Sequence, residues 1–410
     1  MHQKIERFIK IYPWYAGLTG DLLFYIAVDT LFLTVVKQLS AAQIVSLSSV
    51  STIACIVLQF PLLWVIRKIG NTASARLGAF FLLLSALLIS FGPNYYVIVM
   101  GRIFHDMAAV FRSVSFVTLE NNLELVDRRQ DFIRVRTAAN TVYAVLTMLI
   151  SFVASLMFNM NNYLPMYGCI CTCLIGFVLS FFVVDHSGYN RISRKQKSGK
   201  VKLQYSKFLV LAIVVYGLFY PLVTSGQSDG KLFIQQQLLQ GYDVDATSLI
   251  IGAILIVSRI IRVLSNLAFA AIYKRAREKV GVLLPALLGT AIGLMLFGSF
   301  IPQIVCKVLV MSAGYVVILF IRDPFRLYIQ DVVFENTAKE YHQTLLTMLE
   351  FSVKVGTAAM GLGFTFVLLQ YPMTVVMAIM FVIAVVEIAL SVKLYQLIVT
   401  ARQAKTAPPA

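Results

Sequence analysis

Residues 280–300 read VGVLLPALLGTAIGLMLFGSF, and none of these side chains is charged. A run of this length matches the roughly 20 apolar residues that a helix needs to cross a bilayer. Apolar runs recur along the chain, among them Leu22–Val36, Leu77–Phe91, Val142–Phe158 and Met373–Leu390. The runs are continuous rather than alternating, so they indicate transmembrane helices and not the strands of a β-barrel.

The composition indicates the same solvent. Hydrophobic residues make up 59% of the 410 residues and charged residues only 13%, whereas soluble domains carry about 25% charged residues. We do not expect a signal peptide at the N-terminus, because the first run is too long and carries Asp21 and Asp29. Division at polar residues predicts twelve spans: 14–36, 43–66, 75–92, 95–117, 138–159, 165–184, 208–227, 247–271, 280–300, 303–321, 352–370 and 373–396.

The net charge of +16 is distributed in a way that predicts the topology. If the N-terminus is cytoplasmic, 27 of the 35 Lys and Arg residues fall in inner segments, only Lys37 and Lys231 fall in outer loops, and six lie inside the spans. This asymmetry follows the positive-inside rule and predicts that both termini are cytoplasmic. The basic character therefore requires no nucleic-acid partner, whereas contact with anionic membrane lipids is expected.

A charged segment separates the spans into two groups of six. Residues 185–207 contain seven Lys and Arg residues. We therefore expect an all-α membrane protein with two pseudo-symmetric bundles: an N-terminal six-helix bundle over 1–184, a basic cytoplasmic linker over 185–207, and a C-terminal six-helix bundle over 208–410 with a short cytoplasmic tail. The outer loop Gln227–Thr247 is expected to prolong a helix.

Six plus six helices, a basic central linker and inward termini resemble the major facilitator superfamily of secondary transporters. That family carries a signature in the loop after its second helix, and the residues that resemble it here are Arg67, Lys68 and Gly70. At the position where the family has an acidic residue, this chain has Ile66. The fourth-helix arginine of the family looks like Arg102. The fifth span lacks the Gly-Pro-rich signature of the drug/proton antiporters. The resemblance implies two bundles that rock around a central polar cavity.

The fourth span carries an unusual set of ionisable side chains. At about 100° per residue, Arg102, His105, Asp106 and Arg112 fall within an arc of roughly 120°. Charges at the bilayer centre are costly, so this stripe is expected to face a water-filled pathway; the alternative is an internal ion-pair lock that only positions helices. Arg102 and Asp106 are spaced to pair along the helix. His105 beside Asp106 is a candidate proton-responsive site, because histidine titrates near neutral pH.

The first span adds Asp21 and Asp29, which are eight residues apart and about 80° apart around a helix. Both are candidates for reversible proton binding within the membrane. The alternative is a structural pairing with Arg102 or Arg259.

The eighth span carries Arg259, Arg262 and Asn266 within about 60° of one another. Guanidinium groups bind carboxylate or phosphate in a bidentate manner, so these residues predict an anionic or zwitterionic substrate. Neutralisation by Asp21, Asp29 or Glu387 is the alternative. Away from the cytoplasmic ends of the predicted spans, six bases stand against four acids, and the excess of +2 favours an anionic or zwitterionic substrate: Arg102, Arg112, Arg259, Arg262, Lys307 and Lys354 against Asp21, Asp29, Asp106 and Glu387.

Pro221, with Gly217 and Gly226, is predicted to break the seventh helix and to release backbone carbonyls. This break is a candidate gate, flanked by Tyr216 and Tyr220. A static kink is the alternative.

These patterns predict a secondary active transporter of a small anionic or zwitterionic solute, coupled to protons or another ion. We expect a monomer in the cell membrane, specifically the bacterial inner membrane. No enzymatic activity, cofactor or metal site is expected, because the four histidines are scattered along the chain. The alternative within transport is a flippase or exporter of an amphiphile such as a lysolipid, and the alternative of another class is a membrane-embedded sensor or enzyme.

Overall fold

The computed structural model describes residues 2–185, 207–276, 279–337 and 342–406, and the elements in these ranges are helices without a strand. A five-residue π-helix, Phe32–Val36, directly follows the α-helix Leu23–Leu31. The helices are α1 (His2–Leu18), α2 (Leu23–Leu31), α3 (Ala41–Ile69), α4 (Asn71–Phe91), α5 (Tyr95–Arg112), α6 (Val114–Leu125), α7 (Phe132–Met160), α8 (Leu164–Ser180), α9 (Lys207–Leu238), α10 (Val244–Ala276), α11 (Val280–Gly298), α12 (Ile304–Glu335), α13 (His342–Leu368) and α14 (Met373–Thr406).

Ten helical segments in the described part of the chain are long and apolar enough to cross a membrane. They include His2–Val36, which α1, α2 and the π-helix form together, and every helix from α9 to α14. The predicted spans 95–117 and 165–184 are not among the ten. The second of these contains α8, which is apolar but only 17 residues long. Twelve crossings and cytoplasmic termini therefore stay predictions.

The chain divides into two compact units. The first unit is Met1–Gly199 with Val244–Ile256, and the second is Lys200–Asp243 with Val257–Ala410. In the first unit α5 packs against α3 and α4, and α1 packs against α7. In the second unit α11 packs against α12 and α14, and α9 packs against α13. The start of α10 is thus grouped with the first unit although it follows the predicted linker in sequence.

The helices α9 and α12 end well beyond the predicted spans, and these extensions add charged residues. α9 continues to Leu238, as expected for the segment after residue 227. α12 continues to Glu335, so Asp323, which the sequence placed beyond a span ending at 321, lies within this helix. The same extension of α9 brings in Asp229. The predicted charge excess of +2 depended on the earlier ends, so it does not by itself identify the charge of the substrate.

The first predicted span, 14–36, is not one helix. α1 ends at Leu18 and α2 begins at Leu23, which leaves Thr19–Leu22 as a non-helical link that we call the interrupted turn. Asp21 lies in this turn and Asp29 in α2. The predicted angle of 80° between these two carboxylates is therefore wrong, because it assumed a continuous helix.

Gly70 forms the corner between α3 and α4. Its φ of 84° lies in the left-handed region, which glycine adopts without steric cost. Arg67 and Lys68 lie exposed in the last turn of α3. An acid does lie at this corner, since the Asp185 carboxylate accepts a hydrogen bond of 2.6 Å from the side chain of Asn71, the residue after Gly70.

Candidate functional site

His105 in the first unit lies between two carboxylates, an arrangement that we call the His105 bridge. Its Nε2 is 2.7 Å from Asp21 Oδ1, and its Nδ1 is 3.0 Å from Asp106 Oδ1. The side chains are 11%, 31% and 21% exposed for His105, Asp21 and Asp106, so water reaches them only in part. A neutral imidazole has one N–H and donates to one carboxylate, whereas a protonated ring donates to both. The geometry therefore accommodates one additional proton.

The interrupted turn is what brings Asp21 to the histidine. His105 and Asp106 are neighbours on α5, whereas Asp21 belongs to a different span. Asp21 Oδ1 also accepts the backbone N–H of Leu22 at 2.8 Å. The carboxylate is thus fixed by its own turn while it contacts α5.

Arg112 contacts the same turn from the end of α5. Its Nη1 donates to the carbonyl oxygen of Thr19 at 2.5 Å and also to the carbonyl oxygen of Gly20. The sequence grouped Arg112 with a stripe that faces a water-filled pathway. In the structure its guanidinium instead binds backbone oxygens that have lost their helical donors.

α7 closes the other side of the interrupted turn. A Cβ atom on Gly20 would lie 2.5 Å from the ring of Tyr143, and one on Gly17 would lie 2.8 Å from Val142. Real Cβ atoms essentially never approach other atoms so closely. Glycine at both positions therefore allows α7 to pack directly against the turn.

Arg102 completes the group at longer range. It interacts electrostatically with Asp106, Tyr25, Asp21 and Asp29, but among the described residues it has no carboxylate oxygen within the 4.0 Å of an ion pair. Arg102 and Asp106 therefore interact electrostatically, as their spacing predicted, but do not form a close ion pair. Asp29 Oδ1 accepts the N–H of Thr30 at 2.6 Å.

The charges of this group nearly balance. Three carboxylates face two guanidinium groups, which leaves one negative charge when the histidine is neutral and none when it is protonated: Asp21, Asp29 and Asp106 against Arg102 and Arg112. Sequence reasoning missed Tyr25, which is buried among these side chains. Its position on α2, four residues before Asp29, is the signal that could have indicated it.

The second unit pairs Arg262 with Asp323. Arg262 Nε lies 2.7 Å from Oδ2 and Nη2 lies 3.1 Å from Oδ1, so the guanidinium binds the carboxylate through two hydrogen bonds. The sequence did not point to this acid, because the predicted tenth span ended at residue 321, whereas α12 continues through Asp323.

The sequence also named Arg259, Asn266 and Glu387 in the second unit. Arg259 lies partly buried on α10, about one turn before the Arg262 pair. The side chain of Asn266 lies outside the described residues. Glu387 is fully buried on α14, where its Oε1 accepts the Ser391 hydroxyl at 3.3 Å; in the described part of the chain it pairs with no base.

The residues of the candidate gate, Tyr216, Tyr220 and Pro221, are buried on α9. α9 runs through Pro221 without interruption, so the predicted break is wrong. Tyr216 and Tyr220 are buried, with ring centroids 4.8 Å apart, and the Tyr220 hydroxyl donates to the carbonyl oxygen of Arg322 at 2.6 Å. A helix with an internal proline persists in a membrane when its neighbours shield the freed carbonyl.

A metal centre has no support in the described residues. They contain no group of three or more His, Cys, Asp or Glu side chains placed to hold a metal ion. Both ring nitrogens of His105 are already in contact with carboxylates.

The sequence matches the family model described as Major Facilitator Superfamily over residues 16–339. No curated protein matches it at a significant level. The structure is similar to a mutant form of the nucleoside transporter NupG, with a TM-score of 0.77 and 12% identity over 95% of this chain and 99% of that one.

Two further solved structures share the fold. A bacterial homologue of the iron transporter ferroportin in its inward-facing state gives a TM-score of 0.71 and 11% identity over 96% of this chain and 99% of that one. A bacterial metal transporter gives 0.68 and 12% identity over 95% and 98%. At this level of identity the likeness concerns the fold and not the solute.

Proposed function

Since this chain belongs to the Major Facilitator Superfamily, we propose that it is a proton-coupled secondary transporter of a small anionic or zwitterionic solute. Its two bundles would expose a central site to each side of the membrane in turn. The His105 bridge is the single observation that supports the coupling most strongly. The proposal includes the predicted topology, with both termini cytoplasmic, in the bacterial inner membrane.

The hydrogen-bond count and the charge count of the site both support proton coupling. The His105 bridge is fully hydrogen-bonded only with one added proton. The surrounding carboxylates and guanidinium groups reach charge balance with the same proton. The bundle rearrangement would expose the His105 bridge to water on one side of the membrane and then on the other. A proton bound on one side and released on the other would let a proton gradient drive uphill movement of the solute.

The charge of the solute is the less constrained part of the proposal. Arg102 faces its acids without forming an ion pair, and a solute carboxylate or phosphate would offer its guanidinium a bidentate partner. Arg259, which lies partly buried on α10, is the candidate that the sequence offers in the second unit. Replacement of Arg259 by alanine should weaken the binding of an anionic solute more than that of a neutral analogue, and an equal effect on both would remove this assignment.

The solute class is best found by screening the purified full-length chain. Thermal-shift measurements in detergent should cover small carboxylates, phosphate esters and zwitterions. Nucleosides and metal ions belong in the same screen, because solved structures with this fold are described as nucleoside and metal transporters. The hits then enter liposome uptake assays with and without a pH gradient. Uptake that is equal in both conditions would exclude the proposed coupling.

An amphiphile flippase remains the second candidate because of one observation in the second unit. An open apolar groove of about 610 Å³ lies among α11, α12 and α14. Its lining includes Gly289, Gly293, Phe297 and Phe381. Export of a labelled lysolipid from vesicles that contain the protein would support this alternative, and a polar solute as the only transported hit would exclude it.

A further inference from the structure

The interrupted turn lacks hydrogen-bond donors within its own span. In a continuous helix the N–H groups of residues 23 and 24 would bond the carbonyl oxygens of Thr19 and Gly20. Here α2 begins only at Leu23, and in the part of the chain that the structure describes no backbone hydrogen bond joins the N–H of Leu23 or Phe24 to these two carbonyls. Hydrocarbon offers no replacement donor, so unsatisfied carbonyls at this depth are costly.

The guanidinium of Arg112, which is a cation, takes the place of both missing hydrogen-bond donors. Its Nη1 is shared between the carbonyl oxygens of Thr19 and Gly20. The adjacent Asp21 adds a carboxylate to the same turn. Unwound carbonyls beside a carboxylate are the kind of oxygen cluster with which secondary transporters hold Na⁺ or another coupling cation. In this chain a tethered guanidinium occupies that place.

We propose that Arg112 is a fixed cation of the interrupted turn: it replaces a mobile metal cation there and positions Asp21 against His105. The positioning part rests on the proposed proton-coupled function. The fixed-cation part concerns only the turn and stands apart from transport. The chemical consequence is that the turn needs no Na⁺, which leaves the proton as the ion that this site exchanges.

The packing around the turn makes Arg112 the critical support. α7 contacts the turn through Tyr143 and blocks movement in that direction. On the side of α5 the turn is fixed by the Arg112 hydrogen bonds and by the contact between Asp21 and His105. Loss of the guanidinium would free two carbonyls, and Asp21 would lose the geometry that directs it to the imidazole.

Hydrogen exchange of the full-length protein in lipid nanodiscs tests the fixed-cation part without a known solute. The matched control is Arg129, an arginine of the same unit that is 68% exposed and pairs with Glu120. We expect Arg112→Gln to speed exchange across residues 17–26 by about tenfold or more, because charged hydrogen bonds are lost. Arg112→Lys should keep part of the wild-type protection, and Arg129→Gln should leave the exchange rates of these amides unchanged.

Added cations provide the second arm. Millimolar guanidinium should slow exchange at the turn in Arg112→Ala, whereas choline at equal ionic strength should not. In the wild-type protein, Na⁺ and choline should give the same exchange. Unchanged exchange at residues 17–26 in Arg112→Gln, or protection of the wild-type turn by Na⁺ alone, would overturn the fixed-cation assignment.

Titration of the His105 ring by nitrogen NMR separates positioning from fold support. The signal is assigned with His105→Gln, and the curve is followed from about pH 5 to about pH 8. Arg112→Gln should move the titration midpoint, and Arg112→Lys should keep it close to that of the wild type. A loosened turn with an unmoved midpoint would show that Arg112 only stabilises the fold. If both readouts behave as expected while transport ignores a pH gradient, the coupling fails and the role of Arg112 stands.

Discussion

Ser265 on α10 donates its hydroxyl hydrogen to the carbonyl oxygen of Phe320 on α12 at 2.6 Å. This acceptor is available because Pro324, four residues later in α12, has no N–H to bond it. The pair of Arg262 with Asp323 joins the same two helices about one turn away. α12 thus keeps an internal proline in the membrane because a neighbouring helix supplies the missing donor.

Ser265→Ala should destabilise the protein by about 1–3 kcal/mol, because it leaves the Phe320 carbonyl buried without a donor. The measurement is unfolding in detergent, followed by thermal or denaturant midpoint. Ser151→Ala is the control, since that hydroxyl bonds Thr147 of its own helix at 2.6 Å, where the carbonyl also has its helical N–H. The cost of Ser265→Ala should shrink in a Pro324→Ala background, which restores the N–H, and equal costs in both backgrounds would refute the explanation.

The Arg262–Asp323 pair should show a coupling that an exposed pair lacks. Its side chains are 37% and 28% exposed, so Arg262→Ala should cost about 1–3 kcal/mol by leaving the carboxylate without its partner. The double variant with Asp323→Ala should recover part of that loss. Arg326 and Glu350, 52% and 50% exposed at 2.7 Å, serve as the control pair, with an expected cost below about 1 kcal/mol. Strictly additive losses at Arg262 and Asp323 would contradict the assignment.

Two glycines of α13 should respond in opposite ways to alanine. A Cβ on Gly356 would overlap the carbonyl oxygen of Gly217 on α9, the acceptor that Pro221 leaves without a helical donor. A Cβ on Gly363 meets nothing within 4 Å. Gly356→Ala should cost about 1–3 kcal/mol by overpacking, and Gly363→Ala should be neutral or stabilise by up to about 1 kcal/mol through helix propensity. Similar unfolding midpoints for both variants would show that α9 and α13 do not approach so closely.

His105→Gln should separate uphill transport from exchange. Glutamine keeps a hydrogen-bonding side chain but cannot gain the extra proton, so accumulation driven by a pH gradient should be lost. Exchange of labelled for unlabelled solute across the membrane, which needs no net proton movement, should continue. Asp106→Asn should act in the same direction. Retention of gradient-driven accumulation in His105→Gln would exclude the His105 bridge as the coupling site.

The sequence indicated the helical class and most of the ionisable residues around the His105 bridge, because ionisable residues inside apolar runs are conspicuous. It did not identify their partners. Angles around an ideal helix describe one continuous element, whereas Asp21 reaches His105 only because the first span is interrupted. Gly17 and Gly20 were visible in the sequence, but the close approach of Tyr143 that makes them necessary is a tertiary contact.

The second unit shows a different limit. Hydropathy ended the tenth span at residue 321, since Arg322, Asp323 and Arg326 are charged. The helix nevertheless continues, and each charge meets a partner on another helix: Gln227 for Arg322, Arg262 for Asp323 and Glu350 for Arg326. Pro221 was predicted to break α9 because proline has no N–H for the carbonyl four residues earlier, yet the helix continues. Local rules overestimate interruption where packing supplies donors or shielding from neighbouring helices.

Proton flux measured during transport tests the central claim most directly. Purified protein is reconstituted in liposomes that enclose a pH-sensitive dye, the membrane potential is clamped, and the solute found by screening is added outside without a pH gradient. We expect a change of internal pH that follows solute addition and that disappears in His105→Gln. Solute entry at the full wild-type rate with no change of internal pH would contradict it.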